Sequence, residues 1–259
     1  MNSVVSYDIR GSQSSKSILL IHGAVVNRKM WIPQMASLAE HFQTIAVDMP
    51  GHGSLLSQPF TLETSVANLS NLITEYTTGK ALIVGASLGG YVAMALAHKH
   101  ANQCAGLVLA GANVTATGWL AAYLKSVSWL LSPAFIQPWL KRLAISKTRK
   151  MFPEELQDMS DEIIDLGVRH DLTEIFQILQ MPWLDIIAEY QGPVLLLNGA
   201  RDRVNRNAEA KFIRAVPQTT THVIADCAHA SNIEQPEKFS EAVREFYESI
   251  ETEKVVRDG

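Results

Sequence analysis

Short, nearly continuous apolar runs rich in isoleucine, valine and leucine occupy residues 17–21, 44–47, 81–84, 106–110, 194–197 and 222–225. Such runs predict strands buried on both faces, as in a parallel sheet. Between them apolar positions recur at helical spacing near residues 30–41, 62–76, 88–100, 208–216 and 236–250. Strand and helix in alternation predict an α/β fold built on a doubly wound, mostly parallel sheet. Residues 4–9 read as an antiparallel edge strand at the start. No internal repeat or low-complexity tract interrupts the pattern.

One interval breaks the alternation. Residues 114–191 contain no clear strand, and Leu120, Tyr123, Leu124, Val127, Leu130 and Leu131 fall at helical spacing. Pro133, Pro138, Pro153 and Pro182 would cut this interval into several short helices. The pattern therefore predicts a core made of residues 1–113 and 192–259, with residues 114–191 inserted as a helical cap. Four of the five tryptophans, Trp119, Trp129, Trp139 and Trp183, lie in the insertion. Two readings stay open for them: lining a substrate cavity, or filling the insertion's own core.

Length and charge narrow the function. A chain of 259 residues is long enough to bury one large core. A formal net charge of -4 and a pI near 6.1 provide no basic footprint for phosphate, which argues against nucleic acid as a partner and favours small molecules. The first residues lack a basic start followed by an apolar stretch, so no signal peptide is expected. The uncharged stretch 104–124 is broken by Asn113, Thr115, Thr117 and Gly118, and reads as a buried strand running into a second element rather than a membrane span. Cys104 and Cys227 lack metal-ligand spacing and cannot build a disulfide framework, though a single bridge between them stays open. A soluble protein of the reducing cytoplasm is the expectation.

The most informative segment is residues 81–94, where Gly85-Ala86-Ser87-Leu88-Gly89 joins an apolar strand to a helix-forming stretch. A bare G-x-S-x-G is weak, and it is the strand before it and the helix after it that give it meaning. A serine on so sharp a turn is held in a strained conformation at the sheet edge. The first free N–H groups of the new helix favour negative charge developing beside it.

With these residues the chain resembles the α/β-hydrolase family over nearly its whole length. Residues 18–21 followed by His22-Gly23-Ala24 are similar to the family's strand and H-G-x turn. The resemblance implies an oxyanion hole made of the backbone N–H groups of Ala24 and Leu88. His22 is then expected to hold the loop. Asp48-Met49-Pro50-Gly51-His52-Gly53 is similar to the family's D-x-P-G-H-G turn, which shapes the site rather than reacting. The family order Ser, Asp, His implies Ser87 as nucleophile, Asp202 in Gly199-Ala200-Arg201-Asp202 as acid, and His229 after the last strand as base. Asp226, three residues before His229, is the rival acid, and Arg201 or Arg203 could instead pair with Asp202.

A serine at the elbow does not favour haloalkane dehalogenases or epoxide hydrolases, whose family members carry aspartate there. The resemblance implies a serine hydrolase cleaving an ester, thioester or lactone of a small, mainly apolar substrate through an acyl-enzyme, with no metal or organic cofactor. C–C bond hydrolases, a lyase of menaquinone synthesis and small-ligand receptors with weak hydrolase activity share the same triad, and no residue here separates them.

Overall fold

A computed structural model describes residues 5–13, 16–114, 160–164 and 172–258, together with Arg149 and Gln157. Among the described residues seven strands form one sheet: β1 (Ser6–Arg10), β2 (Ser17–Ile21), β3 (Gln43–Asp48), β4 (Ala81–Ala86), β5 (Cys104–Ala110), β6 (Val194–Gly199) and β7 (Thr219–Ile224). Their order is β1-β3-β2-β4-β5-β6-β7. β1 pairs antiparallel with β3 at one edge, and every other pairing is parallel. The doubly wound, mostly parallel sheet expected from the apolar runs is present.

The long helices are α1 (Ile32–Leu38), α2 (Leu62–Tyr76), α3 (Leu88–Lys99), α4 (Leu172–Gln180), α5 (Trp183–Ala188), α6 (Arg203–Ala215) and α7 (Pro236–Asp258). Successive strand residues point to opposite faces, so each central strand feeds two cores. Leu19, Ile21, Ile83, Leu107 and Leu109 pack with α2 to α6 on one face. Ile18, Leu20, Leu82, Val84 and Val108 pack with α1 and α7 on the other. No helix among the described residues is long and apolar enough to cross a membrane. Cys104 and Cys227 are both buried free thiols, so the bridge left open between them is not formed.

Strand order also locates the site. From β2 the chain moves outward to β3, then returns past β2 to place β4 on its other side. Ligands of open α/β sheets bind beyond the carboxyl ends of the strands at such a reversal. Here Ile21 of β2 lies in register with Gly85 of β4, so the segments that follow them, Gly23-Ala24 and Ser87, emerge side by side.

Two elements differ from expectation in an instructive way. β7 begins at Thr219, three residues before the apolar run, because its middle residues are exposed at the sheet edge and need not be apolar. α6 begins at Arg203 rather than near residue 208, since its start is set by a cap. The Asp202 carboxylate accepts the Asn205 N–H at 3.2 Å, which a hydrophobic pattern cannot reveal. Between β5 and β6 the described residues form helices joined by irregular segments, and the sole β pairing among them is an isolated bridge of Ile164 with Val26.

Candidate active site

Ser87 stands between β4 and α3 with φ 50° and ψ -116°. Among the described residues it and Asp226 (φ 61°) are the non-glycine residues at positive φ. Such a conformation costs about 1–3 kcal/mol and persists only where its surroundings enforce it. The Ser87 N–H donates to the Ala110 carbonyl at 2.8 Å, and the Ser87 carbonyl accepts the Gly90 N–H at 2.9 Å. The flanking glycines are required by contact: a Cβ on Gly85 would come within 2.4 Å of the Gly89 carbonyl oxygen.

The loop after β2 passes beside this serine, since a Cβ placed on Gly23 would lie 3.5 Å from the Ser87 Cβ. The backbone N–H groups of Ala24 and Leu88 find no acceptor among the described residues. Leu88 opens α3, where an unused donor is expected.

Two histidines hold this loop. Buried His22 accepts the Met49 N–H on Nε2 at 3.0 Å, so its proton sits on Nδ1 and donates to the Gly23 carbonyl at 2.7 Å. Burial, with the neighbouring His52 adding to it, pushes the His22 pKa down to about 3, which keeps the ring neutral. His52 spans to the same loop, with Nε2 2.6 Å from the Ala24 carbonyl oxygen and Nδ1 3.0 Å from that of Pro50. Asp48 accepts the backbone N–H groups of Arg28 and Ser54 at 2.9 and 3.0 Å and pairs with the Arg28 guanidinium. Burial would raise this carboxyl, but those donors and the Arg28 charge outweigh it and hold it below the ordinary value. The D-x-P-G-H-G turn thus braces the loop.

Asp202 and His229 meet on the opposite side. The turns after β6 and β7 are pressed together: Ala200 N–H donates to Ile224 O at 2.8 Å, and Arg201 N–H to Cys227 O at 2.9 Å. His229 Nδ1 lies 2.8 Å from Asp202 Oδ2. A carboxylate acceptor there fixes the proton on Nδ1 and leaves Nε2 as the basic nitrogen, which has no protein partner among the described residues. Burial by itself would raise the Asp202 carboxyl. The hydrogen bond and charge of His229, with both Asn205 donors, outweigh it and hold the group below its ordinary value. Asp226 is exposed, and its carbonyl takes the Arg201 guanidinium, so neither the rival acid nor the alternative arginine pair forms in this geometry.

The two sides share one step of backbone. Ser87 is bonded to Ala110, and the next residue, Gly111, lies so close to His229 that a Cβ there would be 2.7 Å from the ring's Cε1. Gly111 has φ +62°, which suits glycine on conformational grounds as well.

The model of the Alpha/beta hydrolase family matches residues 18–242. The chain belongs to that family. As an α/β hydrolase it is 23% identical to 3-oxoadipate enol-lactonase 1 of Acinetobacter baylyi, over 95% of this chain and 94% of that one. It is 26% identical to the pimeloyl-[acyl-carrier protein] methyl ester esterase of Neisseria meningitidis, over 91% and 94% of the two chains. A solved thermophilic esterase from Thermogutta terrifontis shares the fold, with a TM-score of 0.78 at 24% identity, over 95% of this chain and 93% of that one.

Of the tryptophans in this hydrolase's insertion, Trp119, Trp129 and Trp139 lie outside the described residues. Trp183 is 2% exposed, donates from its indole N–H to the Ile178 carbonyl at 2.6 Å, and packs 5.5 Å from the Tyr91 ring. Its surroundings support packing, one of the two readings open from sequence. Missed altogether were Asn113, Asn198 and Asn205, three buried amides behind the Asp202–His229 pair. Their only signal was an asparagine soon after two predicted strand ends, Asn113 after 106–110 and Asn198 after 194–197, with Asn205 three residues beyond Asp202.

Proposed function

We propose that this α/β hydrolase is a serine hydrolase acting on an ester, thioester or lactone of a small, mainly apolar substrate. The observation that carries the reading is the Ala110–Gly111 step, with Ser87 bonded to one residue, His229 seated against the other, and His229 held by Asp202 at 2.8 Å. In this reading Nε2 of His229 takes the Ser87 proton as Oγ attacks the substrate carbonyl. The Ala24 and Leu88 N–H groups receive the oxyanion, each contributing about 3–4 kcal/mol. Collapse expels the alcohol, thiol or ring oxygen with the proton returned by His229, and water releases the acyl group by the same steps in reverse. Residues 114–191 act as a cap over the site, and residues 1–113 and 192–259 form the core. An enol-lactonase and a methyl ester esterase among the relatives support the substrate class.

The test joins labelling to turnover. A fluorophosphonate should modify Ser87, short-chain esters or lactones should be hydrolysed over many cycles, and Ser87→Ala should lose about 10⁴–10⁶-fold in kcat while keeping its fold. Undiminished turnover by a contaminant-free Ser87→Ala preparation would overturn the reading. Cleavage confined to C–C bonds would replace the substrate class, and hydrolysis that stops after a few equivalents would mark a ligand receptor instead.

A further inference from the structure

Asn113, Asn198 and Asn205 are each no more than 5% exposed. Their amide directions are fixed by backbone groups whose donor or acceptor character cannot change. Asn205 Oδ1 accepts the Asn113 N–H at 3.2 Å, which turns Asn205 Nδ2 to Asp202 Oδ2 at 2.8 Å. Asn113 Nδ2 donates to the Asn205 carbonyl at 2.9 Å, so Asn113 Oδ1 faces Asn198 Nδ2 at 3.5 Å. Asn198 Oδ1 accepts the Gly111 N–H at 3.1 Å, and its Nδ2 reaches Glu209 Oε1 at 2.8 Å. The network therefore begins at the carboxylate that holds His229 and ends at the glycine that lies against the His229 ring.

We propose that Asn205 is a positioning residue that holds Asp202 in the rotamer serving His229, with the Asn113 backbone N–H setting the direction of its amide. The inference rests on the hydrolase reading of this site. Asp202 Oδ1 takes the Asn205 N–H and Oδ2 takes Asn205 Nδ2, so a single residue grips both oxygens and stops the carboxylate turning. An amide is suited to this task because it neither titrates nor rotates its donor into an acceptor, as a hydroxyl does. His229 shares Oδ2 with Asn205, so the direction of its Nδ1–H follows from that grip.

The experiment combines kinetics, counted per fluorophosphonate-reactive site, with ¹⁵N resonances of the His229 ring. Asn205→Ala should lower kcat by about 10- to 100-fold, since small misplacement of reacting groups has that effect. KM should change by no more than about threefold, because the interaction acts after binding. The ring nitrogens should pass from one tautomer to a mixture. Asn205→Asp sets a second carboxylate beside Asp202 and should move the acid limb of kcat/KM up by about one pH unit, since the added charge favours the imidazolium. A merely structural role would lower the active fraction and the melting temperature without moving these readouts. Wild-type kcat per site and an unchanged tautomer in folded Asn205→Ala would overturn the proposal. Should that variant not fold, Asn205→Asp keeps the side-chain shape and the oxygen that takes the Asn113 N–H but replaces the Nδ2 donor to Asp202 by an acceptor. A loss of kcat with tautomer mixing is expected there, and wild-type kcat per site with an unchanged tautomer would overturn the proposal. Failure of the hydrolase reading is seen separately, as absent labelling and turnover in the wild type, while the tautomer readout still judges Asn205.

Discussion

The two walls of the site are held by different chemistry. The loop after β2 is braced by neutral His22, by His52 and by Asp48, all within about thirty residues of chain and all bonded to backbone groups of one another's turns. The Asp202–His229 pair is braced by amides drawn from the ends of β5 and β6 and from α6, with Asn113 and Asn205 separated by 92 residues. Short-range turns built from glycine, proline and histidine leave a compact sequence signature. Long-range amide networks leave none, because asparagine is ordinary at strand ends and helix starts. A brace can therefore leave no signature in sequence and still be bonded throughout.

The largest expected effect separates the two carboxylates offered for the second wall. Asp202→Asn should lower kcat by about 10⁴-fold, as loss of the group that fixes an imidazole's tautomer does. Asp226→Asn should stay within about threefold of wild type, since asparagine tolerates positive φ and the Asp226 side chain is exposed. The reverse ranking of the two kcat values would move the acid to Asp226 and dissolve the contrast between the walls.

The sheet was legible in the sequence because β2 to β6 are buried on both faces, and burial forces an apolar run regardless of neighbours. β7 and the start of α6 were displaced because exposure frees β7 from that demand and a side-chain cap sets α6. Ser87, Asp202 and His229 were legible through the turns that carry them. The Asn205 grip was not, for a cap residue and its partner three positions on look the same whether or not the capping carboxylate also serves a histidine.

A middle-sized effect tests the layer beneath both walls. Trp183 is buried against Tyr91 of α3, the helix that Ser87 begins. Trp183→Ala should cost about 3–5 kcal/mol of stability, the usual range for truncating a buried tryptophan. Its preference for ester chain length should match the wild type, because the indole is engaged with Tyr91 and the Ile178 carbonyl rather than with open space. A shifted chain-length cut-off with an unchanged melting temperature would make Trp183 a substrate contact.

The smallest effect sets the walls apart by acid. His22 has a folded pKa of about 3, below that of a free histidine, so the unfolded chain binds a proton that the native chain refuses. Its contribution to stability is therefore complete above about pH 6.5 and declines by about 1.4 kcal/mol per pH unit below it, until the folded pKa is reached. Asp202 has the opposite charge type and a folded pKa below its ordinary 3.8. Its contribution is present above that value and is lost only as pH falls through the lower, folded one. Between about pH 6.5 and 4.5 the histidine wall should weaken while the amide wall holds, since amides do not titrate. Urea midpoints measured across that window should fall less steeply in His22→Gln than in the wild type, and Asn205→Ala should keep the wild-type slope. Equal slopes in the wild type and His22→Gln would show that His22 takes up its proton in the folded state, and that the first wall is not held by a neutral ring.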